Sequence, residues 1–184
     1  MQQMMIQGIG FVAAALLIIS FQCKDSQKLF FLQMCSSITY VIHFALLNAM
    51  SGCANLFCSM ARSFVFSQRG KKWAQWRGWP WLLVSTNVLV TVLTWKNAFS
   101  ILPLLGTAGM TVAGWKGNGK HIRIANLVLC CPAWLTYDIY SHSIPGALCE
   151  SFCFCSILVS IARYGWKALS TDFENHEQDE QKTA

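Results

Sequence analysis

The chain has 184 residues, of which 54% are hydrophobic and only 12% are charged, about half the ~25% charged residues of a soluble globular domain. Five of its eight acids (Asp172, Glu174, Glu177, Asp179, Glu180) lie in the last thirteen residues, so only Asp25, Asp138 and Glu150 precede them. The rest of the chain lacks the mixed-sign surface that keeps a soluble domain dispersed. The net charge of +6 does not indicate nucleic acid, because the cations fall in short clusters between apolar runs, as in membrane topology. The composition is that of an all-α integral membrane protein.

A bilayer crossing takes roughly 17–25 apolar residues, and seven segments qualify. The first, at about 6–23, is not a cleaved signal, because its nearest cation, Lys24, follows the apolar stretch and does not precede it. The second (29–47) carries His43. It is parted from the third (50–66) at Asn48-Ala49-Met50-Ser51-Gly52, since an uncut run of nearly forty residues would not fit the bilayer. The third carries Asn55, and Arg62 near its inner end, whose long stem is expected to snorkel to the lipid headgroups. The fourth (79–95) is preceded by Lys71 and Lys72 among interleaved tryptophans, a membrane-surface anchor. The fifth (98–115) contains Pro103, where a kink is expected, and Gly106, Gly109 and Gly114, which with Gly8 and Gly10 allow close helix approach. The sixth (124–140) contains a second kink candidate, Pro132, then Trp134, Tyr137 and Asp138. The seventh (144–164) holds Cys149, Glu150 and Cys153. Residues 1–170 thus read as one transmembrane domain and 171–184 as a disordered acidic cytoplasmic tail.

Orientation follows from the cations. With the N-terminus outside and the C-terminus in the cytoplasm, thirteen of the fourteen Lys and Arg residues lie on or near the inner side and only Lys96 lies outside, as the positive-inside rule requires. Trp73, Trp76, Trp79, Trp81, Trp115 and Trp166 mark inner helix ends, and Trp95 an outer one. The nine cysteines lie in or beside apolar runs and read as small hydrophobes, not as a disulfide framework. Cys149 and Cys153 share a helical face, but with no histidine beside them no metal site is expected.

Sliding the chain by 95 positions lays spans 1–3 on spans 5–7, pairing His43 with Asp138, Asn55 with Glu150 and Cys58 with Cys153. The shared pattern is span, basic inner loop, span, nearly uncharged outer turn, span. A 3+1+3 arrangement with an axis along the membrane normal is the parallel-repeat plan of SWEET transporters.

The motifs, in order, are Gln7-Gly8-x-Gly10, Ser20-Phe21-Gln22-x-Lys24, Gln33, and His43-Phe44-x-Leu46-Leu47, then Asn55 and Arg62. The second half contributes Leu102-Pro103-x-x-Gly106-Thr107, Trp115, Lys120-x-x-Arg123, and Cys131-Pro132-x-Trp134-Leu135-x-Tyr137-Asp138. It ends with Ser143-Ile144-x-Gly146, Glu150 and Ile161-x-Arg163. In this order and spacing they resemble the YgjV family of bacterial inner-membrane proteins, over nearly the whole chain to about residue 166. The resemblance implies a multi-pass protein of the bacterial plasma membrane. The likeness to SWEET and PQ-loop transporters is architectural, and the chain has no Pro-Gln dipeptide.

Ionisable groups inside a bilayer are costly and are functional candidates by default. Glu150 reads either as a carboxylate satisfied by a neighbouring helix or as a proton- or solute-binding group. Asp138 reads as an interfacial acid or a ligand, His43 as a packed hydrogen-bonded histidine or a ligand, and Asn55 as an interhelical bond. With Trp134 and Tyr137 as walls, the four would line a polar chamber opening outward. No phosphate-binding glycine loop, His-x-x-x-His pair or nucleophile elbow is present, so no enzyme and no cofactor is expected. The partners expected are the lipid bilayer and a small solute or ion; the oligomeric state is open. The rival function is a membrane scaffold whose polar residues only fasten helices.

Overall fold

Apolar runs without two-residue alternation can satisfy their own backbone only as helices when water is absent. The computed structural model describes residues 2–20, 26–68, 70–115 and 119–168. Its helices are α1 (Gln2–Ser20), α2 (Ser26–Leu46), α3 (Met50–Ser67), α4 (Trp79–Leu93), α5 (Ile101–Trp115), α6 (Gly119–Ala125), α7 (Cys131–Tyr140) and α8 (Ile144–Ala168). A π turn, Asn126–Cys130, joins α6 and α7 end to end, so the eight segments make seven rods. Short 3-10 turns at Lys72–Gln75 and Ala98–Ser100 lead into α4 and α5. Cys23, Lys24, Asp25, Arg69, Lys116 and the acidic tail lie outside the described residues.

The two prolines act differently from the expected kinks. Pro103 falls near the start of α5, which begins at Ile101 directly after the 3-10 turn, and proline is tolerated near a helix start. Pro132 cannot donate four residues back, and the ladder slips just before it: the Cys131 amide donates to Asn126 O, five residues away. Hence one proline is silent and the other adjoins a π turn.

Among the described residues three helices are long and apolar enough to cross a membrane (Gln3–Ser20, Ala98–Trp115 and His121–Tyr140), and Phe31–Leu46, Trp79–Leu93 and Ile144–Val159 are shorter apolar stretches. The outer faces of the rods carry large exposed hydrophobes, among them Phe11 in α1, Phe57 in α3, Val92 and Leu93 in α4, and Val159 in α8. The interior, conversely, buries Ser20, Ser36, His43, Asn55, Asn87, Thr91 and Asp138. Apolar outside and polar inside is the arrangement suited to lipid and not to water.

The rods pack as two triplets and a bridge. In the first triplet α2 packs on α1 and α3; in the second, the α6–α7 rod packs on α5 and α8. The triplets meet twice, α1 against α8 and α3 against α5, while α4 lies against both α3 and α5. Exchanging α1 with α5, α2 with the α6–α7 rod, and α3 with α8 reproduces the neighbours within and between the triplets, but not the placement of α4, which lies against α3 and α5.

Below α3, Ala74 of the 3-10 turn is fully buried against Val65, Phe66, Trp79 and Trp115. The Trp79 indole donates to Trp73 O at 2.8 Å. Trp73, Trp76 and Trp81 remain exposed, as amphipathic rings do at headgroup depth.

Candidate functional site

The turns that close each triplet share one backbone design. Asn48, between α2 and α3, and His142, between α7 and α8, are among the described residues the two non-glycine residues with positive φ, 56° and 57°, and they lie 94 positions apart. Around Asn48 the bonds are Leu47 N to His43 O, Asn48 N to Ala45 O, Ala49 N to Phe44 O and Cys53 N to Ala49 O. Around His142 they are Ser141 N to Tyr137 O, His142 N to Ile139 O, Ser143 N to Asp138 O and Ala147 N to Ser143 O. Every pair is displaced by 94, so here the register is one residue shorter than the 95 expected from sequence. One residue rotates a helix by about 100°, and the partners change: His43 corresponds to Tyr137, Phe44 to Asp138, Asn55 to Cys149, and Leu56 to Glu150. The two acids thus have apolar counterparts.

His43 is fully buried. Its Nδ1 lies 2.9 Å from Ile6 O in α1 and its Nε2 lies 2.9 Å from Ser143 Oγ, just before α8. A carbonyl only accepts, so Nδ1 carries the proton toward Ile6. The Ser143 hydroxyl, which accepts from the Gly146 amide at 3.3 Å, can then donate to Nε2. Tyr137 makes the reciprocal contact: the Gly52 amide at the start of α3 donates to its hydroxyl at 2.8 Å. Each triplet therefore reaches from the equivalent helix position to the start of the other triplet's last helix, Ser143 just before α8 and Gly52 in the first turn of α3. Gly52 and Gly146 are equivalent too. A Cβ on Gly52 would lie 2.6 Å from Tyr137 Cε1, and one on Gly146 would lie 2.6 Å from the Asp138 carboxyl. Only glycine fits either approach.

The structure gathers His43, Trp134 and Tyr137 around Phe44, with ring centroids 5.4, 6.1 and 6.0 Å from it. Trp134 also presses on Gly106. These rings, with Tyr40, Ala13, Ala14, Cys131, Cys149 and Cys153, fill the seam between the triplets. Asn55 is directed elsewhere: its amide donates to Ser51 O at 2.7 Å and to Thr91 Oγ1 of α4 at 3.1 Å. Asp138 is 2% exposed, and its Oδ1 has no hydrogen-bond partner. Glu150, half-buried, lies beside the Cys131 thiol. The Tyr40 hydroxyl, likewise without a conventional partner, has the Cys149 thiol beside it.

Arg62 departs from the snorkelling expectation. It is half-buried, and its Nη1 donates to Thr107 O of α5 at 3.4 Å, with Cys58 and Cys130 as neighbours. It is directed along the α3–α5 contact because that carbonyl offers its guanidinium an acceptor inside the bundle.

At the end of the bundle that holds both turns is a cavity of about 350 Å³, lined by those turns (residues 47–51 and 140–142), by Tyr137, and by Lys96, Asn97 and Ser100 of the α4–α5 link. Tyr137 alone of the six predicted site residues lines it. Lys96 Nζ donates to Asn48 O at 2.9 Å, and Asn97 Nδ2 donates to the Tyr140 hydroxyl. Ser51 Oγ bonds Thr94 O and Ser100 Oγ. Sequence reasoning missed this site because its walls come from three links far apart in the chain; Lys96, the lone outer cation, was the signal available. Among the described residues no His, Cys, Asp and Glu cluster could hold a metal ion.

A family of bacterial inner membrane proteins, Imp-YgjV, matches residues 4–167. The chain belongs to the YgjV family. No curated protein and no solved structure matches it. For this YgjV-family protein, the apolar outer faces of the rods take their meaning from the inner membrane, and the buried polar residues are groups held away from water in a lipid setting.

Proposed function

We propose that this protein is a small transporter-like membrane protein, not an enzyme, whose seven rods all cross the inner membrane. Its N-terminus lies outside, its C-terminus lies in the cytoplasm, and its two three-rod halves are related about the membrane normal, with α4 as the linker. The reading rests above all on the cavity of about 350 Å³ at the seam of the halves, walled by the equivalent turns of both. Parallel-repeat transporters hold their solute at the repeat interface near the bilayer midplane, and this cavity lies at the mouth of that interface. Below it the aromatic seam of Phe44, Trp134 and Tyr137 acts as the closed gate, with His43–Ser143 and Tyr137–Gly52 as latches. Asp138, buried with an unpartnered oxygen, and Glu150 are the groups for proton or solute coupling.

The test is an uptake screen of small solutes and ions with purified protein in vesicles, beside Glu150→Gln and Asp138→Asn. Uptake that the wild type supports and a folded carboxylate variant loses would support the reading; a screen with no uptake by folded protein would contradict it. A fluorescent reporter fused after Ala184, which glows only in the cytoplasm, checks the topology.

The second reading, a scaffold whose polar residues fasten helices, is favoured by the complete pairing of His43 and by the Asn55–Thr91 link. Under it, Glu150→Gln would impair insertion or assembly and no solute would move.

A further inference from the structure

We propose that the outer cavity binds a small organic carboxylate, held by Lys96. A volume of about 350 Å³ lies at the small end of ligand pockets, roughly 300–1,000 Å³. Lys96 is the only Lys or Arg among the lining residues, and no Asp or Glu joins it. The nearby acid, Asp138, has its carboxyl against Gly146 on the α8 side. An ammonium group has three donors, and Lys96 gives one of them to Asn48 O, so it is held over the cavity with donors to spare. Among the described residues Lys96 makes no ion pair.

Two further features favour an anion with a carbon skeleton. α3 begins at the cavity, with Met50 and Ser51 in its lining, and Ala49 offers no side chain to cap the first amides. The partial positive charge of that end adds to the lysine's. At both helix starts a hydroxyl takes the glycine amide, Tyr137's at Gly52 and Ser143's at Gly146, and it is the α3 start that borders the cavity. Tyr137 and Tyr140 supply aromatic wall, and Tyr140 is braced by Phe99 stacked on it at 4.4 Å and 7°. One ammonium suits a single carboxylate, whereas a phosphate is commonly clasped by the planar fork of arginine. Such binding does not require transport: a chain that binds but moves nothing would lose only the transport reading.

The experiment is calorimetric titration of the full chain in detergent with sodium acetate, sodium succinate, sodium benzoate, inorganic phosphate and glucose. At least one carboxylate is expected to bind, with glucose and phosphate clearly weaker. Lys96→Met should weaken that binding by about tenfold or more, the loss expected of a charge-assisted contact, while Lys96→Arg should stay within about threefold. No carboxylate binding, equal binding of glucose or phosphate, or unchanged affinity in Lys96→Met would overturn the assignment. If Lys96→Met fails to fold, acylation of the wild-type Lys96 amine, followed by mass spectrometry, decides instead. A bound carboxylate should slow it, and an unaltered rate would overturn the proposal.

Discussion

The α2–α3 and α7–α8 turns have the same backbone and different chemistry. Four hydrogen bonds coincide at a spacing of 94 residues, both turns pass through a left-handed residue, and both following helices open with a tightly packed glycine. Yet Phe44 stands where the other half has Asp138, and Leu56 where it has Glu150. The backbone bonds can repeat because any L-residue sequence with a tolerant left-handed position supports them. Asparagine is at home there, and histidine is accepted. Side chains can diverge because each half needs only to fill its own part of the seam. The acids therefore sit on one half alone, and the fastening of α4 through Asn55 belongs to the other.

The reciprocal latches offer the largest expected effect on this comparison. His43→Leu removes two buried contacts to α1 and to the α8 turn, and leaves Ile6 O and Ser143 Oγ to find other partners. A loss of roughly 1–3 kcal/mol is expected, measured by denaturant unfolding in micelles. Tyr137→Phe orphans only the Gly52 amide and should lose less.

Gly146→Ala and Gly52→Ala test the equivalence of the helix starts. Each places a methyl 2.6 Å from its neighbour, and each should cost roughly 1–3 kcal/mol as overpacking. Asp138→Ala should restore stability to Gly146→Ala by clearing that space. Tyr137→Phe should not rescue Gly52→Ala, because the ring carbon, not the hydroxyl, makes the closest contact. Unequal penalties with no rescue would count against the paired packing.

Asn55→Leu should have the smallest effect, about 0.6–1.7 kcal/mol for one interhelical bond in a membrane setting. The loss should shrink when Thr91→Val is already present, leaving the part that belongs to the Ser51 O contact. A double-mutant cycle reads this coupling, and a Glu150→Gln background should leave it unaltered.

The helices were legible because apolar runs of bilayer length, ended by Asn48, Gly78 and His142, leave little freedom in where to cut. The packed, hydrogen-bonded histidine was also among the readings of His43. The π turn was not legible: a proline marks a gap in the ladder but not how neighbouring amides will close it. The one-residue error in register came from matching side chains, whereas the repeat is carried by backbone bonds that many side chains allow. Arg62 could not be placed from its depth alone, because snorkelling and an inward bond to Thr107 O begin from the same position on α3. The cavity escaped notice because Lys96 and Asn97 approach Asn48 and Tyr140 only after α4 and α5 have folded together.

Under the proposed topology the two equivalent turns open on the same outer face of the membrane. Single cysteines at Asn48 and at His142, in a chain whose nine native cysteines are replaced, should both react with a membrane-impermeant maleimide added to right-side-out vesicles. Labelling of both from outside is the predicted result, and labelling of either only after the vesicles are opened would contradict it.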